Sequence, residues 1–151
     1  MTESPRIALI GPGVMAEAVI GGLIRNQVAE PSKIIAAGPR QERGDELITR
    51  YGIRFTIDNT AAVNGAEIVV LSVKPQRLHG VLAGLRGKIA PGTLVLSIVA
   101  GASMLTISQA LEHATVVRVM PNTPAQIGQG IAVWTASTSV TQVQKELSRR
   151  I

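Results

Sequence analysis

Cysteine is missing from all 151 residues, which excludes a disulfide framework, a thiolate nucleophile and zinc held by sulfur. That suits a reducing compartment, and a cytoplasmic location is expected. Aromatic residues are almost as scarce, Tyr51, Phe55 and Trp134 making up 2% of the chain. A core must then come from Ala, Val, Ile and Leu, a composition that suits helices packed closely on a parallel sheet. The shortage also removes the stacking platforms that single-strand readers need. The basic residues behind the net charge of +5 are scattered, and the one dense cluster, Lys145, Arg149 and Arg150, reads as a solvated helix end. No nucleic-acid partner is expected. No apolar run approaches the ~20 residues of a spanning helix, and Met1 to Pro5 lacks the basic and apolar regions of an export signal. No membrane partner is expected either, and the length suits one domain.

What is present begins with Arg6 to Asn26, where an apolar run, a glycine-rich turn and a helical pattern follow without a break. Ile7 to Ile10 suits a buried parallel strand. Gly11-Pro12-Gly13-Val14-Met15-Ala16 then reads as the dinucleotide fingerprint with alanine in third place. Gly11 permits the tight turn, Gly13 lets backbone approach a pyrophosphate, and Ala16 keeps the helix near the strand. The helix opening near Val14 directs its free N–H groups at that anion. Val14, Ala18, Gly21, Gly22 and Leu23 are read as the small, apolar face that lies on the sheet.

Downstream, the pattern predicts strands over 33–37, 53–56, 67–72, 94–99, 115–119 and 131–135. Helices are predicted over 41–51, 78–86, 104–112 and 140–151, with a short helical turn over 61–64. This alternation argues a Rossmann-type, doubly wound α/β fold, a mostly parallel sheet with helices on both faces. At the end of the second strand, where an NAD-selective domain carries an acidic residue, stand Gly38-Pro39-Arg40, with Arg43 in the next turn. Two guanidinium groups there suit a 2′-phosphate, so NADP is expected rather than NAD, though NAD remains open. The alternative reading pairs both arginines with surface acids such as Glu42 and Asp45. Asn59 caps or contacts ligand. Ser72-Val73-Lys74-Pro75 ends the fourth strand and borders the crevice where such sheets bind ligands. Lys74 is read as solvent-facing, or else as an acid or an anion clamp. Ala100-Gly101-Ala102 leaves room for a flat ring, though helix packing selects such small residues equally well, and Asn122 and Thr123 sit in a loop stiffened by Pro121 and Pro124. His79 and His113 are read as surface residues, no metal site is expected, and no residue reads as a convincing general acid.

The segments GPGVMAEA, SVKPQ, SIVAG and RVMPNTPAQIGQG, in this order and spacing, resemble the N-terminal dinucleotide-binding domain of pyrroline-5-carboxylate reductase. The resemblance runs from Ile7 to about Trp134. It implies hydride transfer from NAD(P)H to the C=N bond of 1-pyrroline-5-carboxylate, giving proline. By position it puts Ile10, Gly11, Pro12, Gly13, Val14 and Met15 on the pyrophosphate, and Gly38 and Arg40 beside the adenosine ribose. Asn59 falls at the adenine end, Ser72, Val73, Lys74 and Pro75 along the cleft, and Ile98, Val99 and Ala100 near the nicotinamide. Asn122 and Thr123 fall beneath the reacting ring. Family members continue into a helical domain that binds substrate and forms the dimer. A chain ending at Ile151 is therefore expected to bind dinucleotide yet reduce weakly or not at all. Two other readings stay open: another NADP-dependent dehydrogenase of similar fold, and a stand-alone nucleotide-binding regulatory module.

Overall fold

In a computed structural model, the described residues are 4–121, 132–136 and 144. They form a seven-stranded sheet in the order β3-β2-β1-β4-β5-β6-β7. The strands are β1 (Ile7–Ile10), β2 (Ile34–Ala37), β3 (Arg54–Thr56), β4 (Ile68–Leu71), β5 (Leu94–Ser97), β6 (Val116–Pro121) and β7 (Ala132–Ala136). The helices are α1 (Val14–Arg25), α2 (Gln41–Tyr51), α3 (Asn59–Val63), α4 (Pro75–Leu85) and α5 (Met104–Leu111). The first six strands are parallel and β7 closes the edge antiparallel to β6. From β1 the chain winds outward through β2 and β3, then returns to pair β4 with β1 and winds the other way. That reversal opens a crevice at the carboxyl ends of β1 and β4.

Both faces of the central strands are buried, as continuous apolar runs such as IALI and IVVL require. Ala8, Ile10, Val69, Leu71 and Val95 point to the face covered by α3, α4 and α5. Ile7, Leu9, Ile68, Val70 and Leu96 point to the face covered by α1 and α2. The side chains that seat α1 are Ala16, Ile20 and Leu23, the i, i+4, i+7 row of one helical stripe. The stripe read from the sequence was displaced: only Leu23 of it is buried, and Val14, Ala18 and Gly21 turn toward α2. The Tyr51 ring lies beside Gly21, 3.8 Å from where a Cβ would stand, an ordinary contact distance.

Boundaries differ from expectation where proline decides them. Pro31-Ser32-Lys33 forms a 3-10 turn, so β2 starts at Ile34. Pro75 opens α4 three residues earlier than the periodicity suggests, because its fixed φ suits the first helical position. Gly52 ends α2 in the left-handed conformation, as the sequence indicates. His113 is buried rather than superficial: its Nε2 donates to the Thr93 carbonyl at 2.6 Å, and Ser108 Oγ donates to the His113 carbonyl. The expected last helix lies outside the described residues except Gln144, whose amide donates to the Gly92 carbonyl.

Candidate functional site

Five strand tips meet at the carboxyl edge, and backbone hydrogen bonds tie them together. Gly11 N–H donates to the Ala37 carbonyl at 2.9 Å, Ser72 N–H to Ile10 at 2.9 Å, and Ile98 N–H to Leu71 at 3.0 Å. Gly38 N–H donates to Thr56 at 3.2 Å. The Ser72 hydroxyl reaches the same turn, at 3.0 Å from the Ile10 carbonyl and 2.8 Å from that of Gly11. The β1–α1 turn is thus pinned to β2 on one side and β4 on the other.

Its residues divide into contacts and openings. Pro12 lies so close over Gly38 that a Cβ there would stand 2.5 Å from the proline Cδ. Gly13, by contrast, would meet nothing within 4 Å. Gly13 also serves as the N-cap of α1 with no side-chain cap hydrogen bond. An exposed helix start with an open approach is the arrangement an anion needs. Ile10 is fully buried beneath the turn, Val14 is exposed and Met15 is half-buried.

Arg40 stands as the N-cap of α2, exposed, and its side chain makes no hydrogen bond or ion pair among the described residues. Asp58, not Asn59, caps α3, accepting from Thr60 and Ala61 N–H. The Asn59 amide is left without a partner among the described residues. Val73 packs against Gly11, and Lys74 and Pro75 are exposed at the start of α4. Ile98 is half-buried, the Val99 side chain packs into the core, and Ala100 is exposed, so only backbone of Val99 can face a ligand. Asn122 and Thr123 lie outside the described residues. Among the described residues no group of His, Asp or Glu is placed to hold a metal.

Arg43 does not join Arg40. It is 16% exposed and turned onto the glycine turn, donating from Nε to the Pro12 carbonyl at 2.7 Å and from Nη2 to that of Gly13 at 3.3 Å. Glu17 of α1 meets Nη2 at 2.8 Å and Glu46 meets Nη1 at 3.0 Å. The Glu17 carboxylate also receives Arg50 at 2.7 Å and the Tyr51 hydroxyl at 3.0 Å. Burial pushes the Glu17 carboxyl up, but the three hydrogen bonds outweigh it and hold it below its ordinary value. Burial and Glu17 push the Tyr51 hydroxyl up. Glu42 and Asp45, the acids that the alternative reading offered to the arginines, are not the partners of Arg43. A groove of about 590 Å³ between α1 and α2 passes Gly13, Arg40 and this cluster. Sequence reasoning missed the cluster; its one signal was a carboxylate, Glu17, set among the small residues Val14, Ala18 and Gly21.

Residues 6–101 match the family described as NADP oxidoreductase coenzyme F420-dependent. Pyrroline-5-carboxylate reductase of Synechocystis is 41% identical over 137 residues, 91% of this chain and 51% of that protein. The solved structure of pyrroline-5-carboxylate reductase from Coxiella burnetii superposes with a TM-score of 0.91 at 31% identity, over 97% of this chain and 54% of that one. Plasmodium falciparum pyrroline carboxylate reductase, solved with NADP bound, shares the fold with a TM-score of 0.84 at 21% identity, over 98% of this chain and 54% of that one. The chain spans about half the length of the curated relatives it matches.

Proposed function

Because the chain belongs to the NADP oxidoreductase coenzyme F420-dependent family and matches the N-terminal half of pyrroline-5-carboxylate reductases, we propose that it is the NADPH-binding domain of such a reductase. The observation that carries the reading is the contrast within one turn. Gly11 and Pro12 are locked against Val73 and Gly38, while Gly13 faces open space at an uncapped helix start. A turn held rigid except where a diphosphate must approach is what dinucleotide binding requires.

The residues along the edge fit the rest of the cofactor. Arg40, exposed and without a partner among the described residues, is the donor for the 2′-phosphate; a forked guanidinium suits that group, and the edge of β2 has no acid there to hold a ribose 2′-hydroxyl. The Asn59 amide is available to the adenine end. Ser72 and Val73 hold the floor of the cleft, and the small Ala100 leaves room for the nicotinamide beyond β5. When bound, the reduced nicotinamide supplies the hydride. This chain's part is to hold the ring in one orientation, since chemistry of this kind is governed by placement more than by a protein acid.

Reduction of 1-pyrroline-5-carboxylate to proline, and assembly as a homo-oligomer, belong in this reading to the longer protein, which carries the substrate-binding half. A cytoplasmic location goes with it, as the cysteine-free composition allows. The test is an assay of the longer protein, offering 1-pyrroline-5-carboxylate with NADPH and, side by side, hydroxy acids with NADP+. Turnover of the imine alone supports the reading. Turnover of a hydroxy acid instead assigns the fold to another dehydrogenase.

A further inference from the structure

We infer that Arg43 is a positioning residue that aims the glycine turn at the diphosphate, and not a ligand of the 2′-phosphate; the inference rests on the dinucleotide reading above. Its three guanidinium nitrogens are all engaged, Nε on Pro12, Nη2 on Gly13 and Glu17, and Nη1 on Glu46. Each is committed to a carbonyl of the turn or to a carboxylate.

The peptide unit is planar and trans, so its C=O and N–H point in opposite directions. Fixing the Pro12 carbonyl on the α2 side fixes the Gly13 N–H away from it. Fixing the Gly13 carbonyl does the same for the N–H of Val14, the first residue of α1. Gly13 N–H is turned back on the Gly11 carbonyl at 3.0 Å, and the Gly13 carbonyl also accepts the Glu17 N–H at 3.0 Å. Val14 N–H therefore points away from Arg43, out of the amino end of α1. Arg43 sets two consecutive peptide planes from behind, and Glu17, itself held by Arg50 and Tyr51, sets Arg43. A fork that grips two carbonyls and two carboxylates at once is a task for guanidinium; a lysine offers a point charge.

Titration of the chain with NADPH and with NADH, following nicotinamide fluorescence, tests this with R43Q, R43K, E17Q and R40Q. Both Arg43 variants are expected to weaken the two cofactors alike, by about tenfold, the scale of one charge-assisted hydrogen bond, with their ratio unchanged. R40Q is expected to lower the NADPH-to-NADH preference. E17Q separates positioning from charge. It loosens the hold on Arg43 and weakens both cofactors, whereas a purely electrostatic role predicts tighter binding once a negative charge beside the diphosphate is gone. A changed cofactor ratio in R43Q, wild-type affinity in R43K, or tighter binding in E17Q overturns the inference while leaving the dinucleotide reading intact. An unmodified chain that binds neither cofactor overturns that reading, and the inference with it. Should R43Q fail to fold, R43K and E17Q decide the matter.

Discussion

Gly11 rests so closely on Val73 that a Cβ would stand 2.8 Å from both the Val73 Cα and its nitrogen, and its φ of +97° lies where side chains are strained. Gly13, two residues on, has neither constraint. The two glycines therefore fail differently. G11A is expected to lose about 1–3 kcal/mol of stability. G13A is expected to lose less than about 1 kcal/mol, the cost of a poorer N-cap, and yet to lose dinucleotide affinity because its methyl fills the approach. Thermal melts paired with cofactor titrations of both variants separate the roles.

Gly44 lies under the Phe55 ring, and a Cβ there would fall 2.3 Å from Cγ. Helix propensity favours alanine over glycine by about 1 kcal/mol, but overpacking at a buried helix–strand contact costs about 1–3 kcal/mol. G44A should therefore be destabilised, and adding F55A should restore part of the loss. A denaturant double-mutant cycle reads this coupling; additivity would contradict it.

Glu17 gives the protein an acid-sensitive contact. Its carboxyl ionises below the ordinary 4.5 despite burial, because Tyr51, Arg43 and Arg50 hydrogen-bond to it. As pH falls the unfolded chain takes up the proton first, so the stabilisation is present above the unfolded value and is lost as pH drops through the lower folded one. Stability measured from about pH 6 down to about pH 3 should fall more steeply in the wild type than in E17Q.

His113 predicts a purely structural effect. Replacing it with Phe leaves the buried Thr93 carbonyl without its donor, at a cost of about 1–3 kcal/mol. It sits at the amino end of β6, opposite the cofactor edge, so NADPH affinity should be unchanged. A shift in affinity would contradict that placement.

The doubly wound fold was legible in the sequence because buried parallel strands are near-continuous apolar runs, as in Ile68–Leu71, and because Gly52 and Ser103 mark helix ends by their own backbone chemistry. The glycine turn was legible for the same local reason. What was not legible is contact between distant elements. Glu17 and Arg43 are 26 positions apart in sequence yet meet at 2.8 Å, and no local pattern distinguishes Arg43 from the exposed Arg40 beside it. His113 looked superficial because its partner, the Thr93 carbonyl, belongs to the turn before another strand. The stripe Val14, Ala18 and Gly21 was small and apolar, but it accommodates Tyr51 instead of the sheet.

The most direct test of the central claim is calorimetric titration of the chain with NADPH and NADH in parallel, repeated on R40Q. The account predicts that NADPH binds about tenfold tighter or better, and that R40Q removes most of the difference. Tighter binding of NADH, or an unchanged ratio in R40Q, would contradict it.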